Sequence, residues 1–334
     1  MRRKVFVSGI ISALALSALL PAPVFAQGSA QGSAQGAFPS QTVKFVVPSA
    51  GGSTTDALAR IMAERLGRVW NKGTIVENIA GGAMNIGARA VARAAPDGHT
   101  LFVAPPAPLG FSHLLTKDTG YDPTAFTPIT LLAKIPNVLV MRKSLAANTL
   151  QEFIAHAKAN PGKVNFASSG AGSTAHLTAL LLAQRAGLQM NHVPYRGAAP
   201  ALTDLIGGHV DIFFDTLATS VPQYRAGAVK LLGVGDTVRN EAIPEVPTLA
   251  EAGLPGFRST TWFGLVAPPA TPAAIVERLN RDAVAVLKDP ATIAQLQKLS
   301  LTPGATSPEE SKKFFAEEAA QWSKLIRDAG IAAQ

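Results

Sequence analysis

A turn of glycine, serine and threonine occurs twice in this chain, each time before a segment whose apolar residues have helical spacing. The stretch SAGGSTTDALARIMAERLG (49–67) aligns without gaps with SGAGSTAHLTALLLAQRAG (169–187). Equivalent positions differ by a constant 120, since 172 − 52 and 187 − 67 give the same result. The recurring residues include Gly52, Ser53, Thr54, Ala59, Ala63, Arg65 and Gly67, matched by Gly172, Ser173, Thr174, Ala179, Ala183, Arg185 and Gly187. An internal repeat at one offset predicts two half-chains with the same local structure.

Each repeat lies within the same order of predicted strands and helices. In the first half, TVKFVV (42–47) has the continuous apolar character of a buried strand. The next segment has the pattern of a helix, with apolar residues at Leu58, Ile61, Met62 and Leu66. In the second half, residues 163–167 and HVDIFFD (209–215) are predicted strands on either side of the corresponding helix. This alternation predicts an α/β fold with parallel sheets and right-handed crossovers.

Two extended runs predict how the half-chains are joined. TPITLLAKIPNVLV (127–140) leaves the first half, and TTWFGLVAPP (260–269) returns to it. A helix that starts with Pro272 and a last helix that starts with the capping box SPEE (307–310) are expected to pack on the first half. The expected organisation is two lobes joined by two crossover strands that act as a hinge. Lobe one comprises residues 42–133 plus 263–334, and lobe two comprises residues 134–262.

The repeated turns are expected to form a ligand site. Ligands of parallel sheets bind at the carboxyl ends of the strands, where the helices begin. A helix amino-terminus offers unpaired N–H groups and a partial positive charge, and Ser and Thr hydroxyls add donors. Two facing turns of this kind could hold both ends of a short dianion without any basic side chain. The alternative is that each turn is only a helix N-cap.

The beginning of the chain has the features of an export signal. MRRK precedes an apolar run that ends in small residues, which predicts a signal peptide cleaved after Ala26; a retained membrane anchor is the alternative. Residues 27–41 start with repeats of QGSA and are expected to be a flexible leader. The absence of cysteine excludes a lipid-modified cysteine anchor and any disulfide.

The charge balance gives little support to nucleic-acid binding. Of the 30 basic residues, three belong to the signal, which leaves 27 against 22 acidic residues and a net charge of +5. The basic residues are scattered, without a stripe or interleaved aromatic residues, so no nucleic-acid partner is expected. The small excess could attract an anionic ligand or serve only solubility.

Catalytic motifs are weak in this sequence. GAGSTA (170–175) fits the loose dinucleotide pattern, but the acidic residue expected about 20 positions later is missing. The chain has no G-x-S-x-G or H-E-x-x-H motif, and its six histidines lack metal-ligand spacing, so no cofactor or metal is expected. His176 is expected at the helix start or in the cleft. Asp215 is expected either to meet a polar ligand group or to cap the next turn.

Longer phrases of the sequence resemble those of one family. VVPSAGGSTTDALAR, GGAMNIGARAVARAAPDGHTL, NPGKVNFASSGAGSTAHL, HVPYRGAAPALTDLIGGHVDIFFD and WFGLVAPPATP are similar to phrases of the substrate-binding receptors of tripartite tricarboxylate transporters, the Bug receptors. The resemblance covers nearly the whole chain from about Val43. It implies a two-lobed periplasmic binding protein with a type II-like fold. It also implies a receptor, not an enzyme, that closes on a small organic anion and delivers it to a membrane permease of a large and a small subunit.

The resemblance further implies which residues bind the ligand. In the family, the strand-to-helix loops of both lobes hold the ligand carboxylates, partly through ordered water. Asp215 matches the acidic residue that closes the family's HVDIFFD-type phrase. By position, and with His176 added, the expected ligand-binding residues are Gly52, Ser53, Thr54, Gly82, Asn85, Ser169, Gly172, Ser173, Thr174, His176 and Asp215.

One loop departs from the family pattern. After the third strand the family usually has Ser, Thr or Asn, whereas this chain has APPAPLGF (104–111), so Ala104 and Pro105 are expected to face the cleft. An apolar wall disfavours citrate and favours an aliphatic or aromatic dicarboxylate, such as a phthalate-type acid. The rival class is a secreted α/β enzyme that uses GAGST to bind a nucleotide or phosphate. Transfer of the loaded receptor to a membrane sensor kinase is a third possibility.

Overall fold

Strands and helices alternate in the computed structural model, which describes residues 38–328. The strands are β1 Val43–Val47, β2 Thr74–Asn78, β3 Thr100–Ala104, β4 Thr127–Arg142, β5 Val164–Ser168, β6 Met190–Pro194, β7 Ile212–Thr216, β8 Val229–Val234, β9 Thr260–Ala267 and β10 Thr302–Pro303. The α-helices are α1 Thr54–Trp70, α2 Asn85–Ala92, α3 Pro106–Gly110, α4 Leu150–Ala159, α5 Thr174–Ala186, α6 Ala198–Gly207, α7 Leu217–Arg225, α8 Ala273–Lys288, α9 Pro290–Gln297 and α10 Pro308–Asp328. Short 3-10 turns occupy Gly82–Met84 and Ser112–Leu114.

The strands form a mixed sheet that contains two equivalent parallel groups. The strand order is β2-β1-β3-β9-β4-β7-β5-β6, and β8 and β10 pair with β4. β1 is parallel to β2 and β3, and β5 is parallel to β6 and β7. The βαβαβ order predicted from the repeat is therefore present in both halves. The sheet is not purely parallel, because β4 and β9 run antiparallel to their neighbours β7 and β3.

The two crossover strands lie in the middle of this sheet. β4 has 16 residues and pairs with β9 through residues 127–136, then with β7 and β8 through residues 137–142. This length and its buried, apolar side chains let one strand belong to both halves. The expected lobe boundaries at 133/134 and 262/263 fall within β4 and β9, and the division into lobes stays a prediction.

The C-terminal helices pack beside the first parallel group. α8 lies against α1, where Trp70 Nε1 donates a 2.8 Å hydrogen bond to the buried carboxylate of Asp282. α10 begins with the predicted capping box, in which Ser307 Oγ accepts from the Glu310 amide and Glu310 Oε2 accepts from the Ser307 amide. α8 starts one residue later than expected, because Pro272 is its N-cap and not its first helical residue.

The last residues of the predicted leader are held against the fold. The Phe38 ring lies 6.3 Å from the ring of Trp70 and 5.2 Å from that of His99, and the Ser40 amide donates to His99 Nε2. Residues 38–41 therefore belong to the folded part, because an aromatic residue anchors them. The predicted signal peptide (1–26) and the remainder of the leader lie outside the described residues.

Candidate functional site

The amino-terminal turns of α1 and α5 line the same cavity. Ser53 and Thr54 reach it from α1, and Ser173 and Thr174 reach it from α5. Other walls come from residues that follow β1, β3 and β5 and from the end of β7. The space between the walls, counted together with the open mouth, is about 560 Å3. The repeat thus brings two helix amino-termini to one place.

The cavity lining combines polar and apolar residues. Among the lining residues of the described part, Asp215 alone bears a charge. The lining consists of Ser49, Ser53, Thr54, Thr55, Met84, Pro105, Ala107, Asn137, Ser169, Ser173, Thr174, Ala175, Ala198, Phe213, Phe214, Asp215, Thr216, Thr261 and Phe263. An anion held here would therefore depend on amides and hydroxyls, because the lining offers no basic side chain.

Both turns are built on the same hydrogen-bond pattern. Ser53 and Ser173 are N-caps whose Oγ atoms accept from the amides of Asp56 and His176, at 3.2 Å and 3.3 Å. Before each cap stands a glycine with positive φ, 80° at position 52 and 75° at position 172, a conformation that a side chain would strain. The N-cap role and the cavity-lining role therefore coexist in the same serines.

The two equivalent threonine hydroxyls differ in their surroundings. Thr54 Oγ1 lies 2.5 Å from Thr216 Oγ1, so a hydrogen bond joins the start of α1 to the end of β7. Thr174 is 5% exposed, and its Oγ1 has no hydrogen-bond partner within residues 38–328. A buried hydroxyl without a partner is costly, and here it belongs to the cavity wall. Thr174 therefore offers a donor to whatever enters the cavity.

Asp215 is a buried carboxyl group in the cavity wall. Its Oδ2 accepts hydrogen bonds from the hydroxyls of Thr219 and Ser220, at 2.6 Å and 2.7 Å. Burial raises the pKa of Asp215 to about 6, and these hydrogen bonds oppose only part of that effect. The residue therefore both anchors the start of α7 and faces the cavity, so the two roles predicted for it are compatible.

His176 braces the α5 turn and is absent from the cavity lining. Its Nδ1 accepts a 3.0 Å hydrogen bond from the Gly172 amide, and its ring stacks on His192 with the centroids 3.9 Å apart. Burial and the neighbouring His192 lower the pKa of His176 to about 3. His192 Nε2 lies 2.7 Å from Ser168 Oγ, which itself bonds to the backbone of Gly170. The stacked pair thus fixes the loop between β5 and α5.

The other predicted site residues lie around the cavity or beside it. Ser169 and Pro105 line the cavity, whereas Ala104 is fully buried in the sheet below it. Gly82 lines a neighbouring cavity that shares Met84 and Ser169 with the first. Asn85 is buried with its side chain bonded to Thr116 and Tyr121. The lining does not include the two turn glycines at positions 52 and 172.

Several lining residues were missed by the sequence analysis. Asn137 and Thr261, on the crossover strands, bond to each other at 2.8 Å, and Asn137 also donates to Ser259 Oγ. Their signal is a polar side chain inside an otherwise apolar strand, which marks a place where the strand does not face the core. Phe213, Phe214 and Phe263 carry no such signal, because an apolar strand residue looks the same whether it faces core or cavity.

Replacing either cap serine by alanine is expected to affect folding and binding together. Loss of the Ser53 or Ser173 cap should reduce the free energy of unfolding by about 1 kcal/mol. Loss of the hydroxyl from the cavity should weaken ligand binding by about 0.5–1.5 kcal/mol. Urea unfolding and calorimetry on Ser53→Ala and Ser173→Ala measure the two effects separately. Unchanged affinity in both variants would remove these hydroxyls from the binding site.

The fold and the cavity define the class of the protein. A mixed sheet with two βαβ groups, crossover strands at its centre and a cavity shared by both groups is the architecture of a periplasmic binding protein. The model of the tripartite tricarboxylate transporter family receptor (TctC) matches residues 58–331. The chain belongs to this family, which confirms the predicted resemblance and fold class. Every helix in residues 38–328 is too short or too polar to cross a membrane.

Relatives and solved structures agree with this assignment. The chain is 32% identical to Protein BugT of Bordetella pertussis over 323 residues, which cover 96% of each chain. It is 36% identical to the structure titled R. palustris Rpa4515 with adipate, with a TM-score of 0.86 and coverage of 89% of this chain and 100% of the other. For MatC from Rhodopseudomonas palustris with bound malate, the identity is 34%, the TM-score 0.83 and the coverage 86% and 100%.

Proposed function

We propose that this protein is a periplasmic receptor that captures a small organic carboxylate, with a dicarboxylate favoured, and delivers it to a tripartite tricarboxylate-type permease. The observation that carries the proposal is the meeting of two helix amino-termini at one cavity, where Thr174 presents a buried hydroxyl without a partner among the described residues. Helix amino-termini bind carboxylates through their free N–H groups and partial positive charge. Membership of the family implies that the partner is a membrane permease of a large and a small subunit.

The apolar part of the lining supports a ligand with a hydrocarbon body. Met84, Pro105, Ala107 and Phe263 line the cavity together with the two polar turns. The similar structures with adipate and malate show that relatives bind dicarboxylates. An aliphatic chain such as that of adipate, or the flat ring of a phthalate-type acid, suits this wall better than the many polar groups of citrate.

Export and closure complete the proposal. Cleavage after Ala26 would release the receptor into the periplasm, where the two predicted lobes would close on the ligand by bending at the crossover strands β4 and β9. The hydrogen bond between Thr54 and Thr216 joins the two halves beside the cavity, which is the place where a closed form needs a contact. A sensor kinase as a further partner draws no support from the relatives.

A thermal-shift panel on the purified protein tests the ligand class. Adipate, phthalate, malate, citrate, hexanoate and ATP should each be added in graded excess. A bound ligand at a hundredfold excess over its Kd stabilises the protein by about 2.7 kcal/mol, so a dicarboxylate that binds should raise the melting temperature clearly. We expect a shift with adipate or phthalate, and recovery of the acid unchanged after incubation.

The same panel distinguishes the rivals. A shift with citrate and with no dicarboxylate would contradict the apolar-wall argument. A shift with ATP alone, or conversion of the bound acid, would favour the secreted enzyme that uses the GAGST loop. The absence of any shift with all the organic acids would contradict the receptor for carboxylates itself.

A further inference from the structure

The two amino-terminal turns share one pattern but differ in charge. In the α1 turn the Gly52 amide donates to the Asp56 carboxylate at 2.9 Å, and in the α5 turn the Gly172 amide donates to His176 Nδ1 at 3.0 Å. Asp56 and His176 are equivalent positions of the repeat, since 176 − 56 is again 120. One turn is therefore closed by a carboxylate and the other by an imidazole.

The charge of these two side chains makes the turns unequal as anion sites. Burial alone would raise the pKa of Asp56, but hydrogen bonds from Arg60, the Gly52 amide and Asn78 outweigh it and hold the pKa below its usual value. The α1 turn thus already contains an ionised carboxylate, paired with Arg60 at 3.0 Å, that accepts the hydrogen bond of the Gly52 amide. The α5 turn has no acidic residue in its first turn, and its histidine is neutral at neutral pH. An incoming carboxylate is therefore favoured at the α5 turn.

The hydroxyl groups give an independent reason for the same choice. Thr174 of the α5 turn lines the cavity with a buried Oγ1 that no described residue partners, whereas the hydroxyl of its equivalent Thr54 is bonded to Thr216. Of these two equivalent hydroxyls, the one on α1 is therefore already engaged and the one on α5 is not. Both charge and hydrogen bonding assign the ionised end of the ligand to the α5 turn.

An ionised ligand carboxylate is disfavoured on the other side of the cavity, where the α1 turn meets β7. Thr216, which forms a hydrogen bond with Thr54, directly follows Asp215, and both residues line the cavity. Asp215 is 3% exposed and receives only hydroxyl and amide hydrogen bonds from the described residues. Titratable groups on the surrounding elements are engaged elsewhere: His176 of α5 with His192, Asp204 of α6 with Tyr195, and Arg142 of β4 with Asp211.

A second ligand carboxylate beside Asp215 would be unfavourable. Two carboxylates that share a buried site without a cation cannot both ionise, and the pair holds one proton. Burial already raises the pKa of Asp215 to about 6, so little further change is needed for the pair to hold a proton near neutral pH. The protonated group then donates a hydrogen bond to the ionised one, which satisfies both.

We propose, on the basis of the proposed function, that this receptor binds a dicarboxylate together with one proton taken up from solvent. The ionised carboxylate lies at the α5 turn, against Thr174, and the second carboxyl group shares the proton with Asp215. The ligand class is then a diacid bound as a monoanion, and the affinity depends on pH although no basic group of residues 38–328 lines the cavity.

Calorimetric titration with adipate, and in parallel with phthalate, tests the proton uptake. At pH 7.5 the binding heat is measured in PIPES and in Tris, whose ionisation enthalpies differ strongly, and the difference gives the number of protons taken up. We expect a value approaching one. Between pH 6.5 and 8.5 the affinity should fall by up to about tenfold per pH unit, the limit for one linked proton.

Asp215→Asn should abolish both the proton uptake and the pH dependence of the affinity. Asp118→Asn, the same change at an exposed carboxyl group, should keep both. The amide introduced in the Asp215→Asn variant can donate to a carboxylate, so the affinity of that variant at pH 8.5 should exceed that of the wild type at least tenfold. Equal heats in both buffers and a pH-independent affinity in the wild-type protein would overturn the inference even if the Asp215 variant fails to fold. Failure of adipate, phthalate, malate, citrate and hexanoate alike to bind at any pH would instead overturn the proposed function on which the inference rests.

Discussion

Thr174→Val is expected to weaken carboxylate binding by about 1.5–3 kcal/mol, roughly ten- to a hundredfold, while the unliganded protein stays at least as stable as the wild type. A hydrogen bond to a charged acceptor is worth this much, and valine has the shape of threonine without its hydroxyl. The Thr174 hydroxyl is buried without a partner among the described residues, so its removal costs the free protein no hydrogen bond to them. The affinity should therefore fall while the free energy of unfolding stays the same or rises.

Thr54→Val is the matched control at the equivalent position of the repeat. Its hydroxyl is bonded to Thr216, so its removal should cost about 1 kcal/mol of stability and leave the Thr216 hydroxyl without that partner. Calorimetry with the best acid from the thermal-shift panel and urea unfolding measure both quantities. Unchanged affinity in Thr174→Val would show that the Thr174 hydroxyl does not contact the ligand, and a loss of stability equal to that of the control would show that this hydroxyl has a partner in the free protein.

This pair of threonines also shows how much of the site could be predicted from the sequence. The repeat predicted that Ser53, Thr54, Ser173 and Thr174 lie at two equivalent helix starts, and the structure brings all four to one cavity. Local sequence cannot tell which of the two threonine hydroxyls is engaged, because the partner, Thr216, is 162 residues from Thr54. The difference between the turns is therefore a tertiary property.

His176 is a second residue whose contacts could not be predicted from the sequence. Its position one turn into a cleft-facing helix suggested a ligand contact, but the imidazole turns towards His192 on β6, the strand that follows α5. Stacking on a second ring and the hydrogen bond from Gly172 satisfy the side chain away from the cavity. Nothing in the spacing of His176 and His192 predicts this, since the contact depends on how α5 packs on the sheet.

The fold was more accessible to sequence than the site. Strand starts such as Val43 and Thr260 lie within one residue of the predicted positions, because apolar runs and turn residues are local signals. The antiparallel pairing of β4 with β7 and β9 had no such signal. A 16-residue apolar strand can pair in either direction, and only the path of the chain between the halves decides it.

The histidine stack has a consequence for stability in acid. Burial lowers the pKa of His176, helped by His192, to about 3, and burial lowers that of His192 to about 4. In the unfolded chain both should titrate near 6.5. Below pH 6.5 the unfolded chain therefore binds protons at these histidines, whereas the folded protein does not. The stability that they contribute is complete above pH 6.5 and is lost as the pH falls from 6.5 towards the folded pKa. Asp215 acts in the opposite sense, because its raised pKa favours proton binding by the folded state between about 6 and 3.8.

Between pH 7 and pH 5 each histidine should therefore cost the protein about 2 kcal/mol of its free energy of unfolding, against about 1 kcal/mol regained at Asp215. His192→Phe keeps an aromatic ring against Phe166 and His176 but removes one titrating group. Between pH 7 and pH 5 this variant should therefore lose about 2 kcal/mol less of its free energy of unfolding than the wild type. Urea unfolding at the two pH values measures both losses, and other titrating groups cancel in the comparison. An equal loss in the two proteins would mean that His192 is not held neutral, and the brace on the α5 turn would then need another explanation.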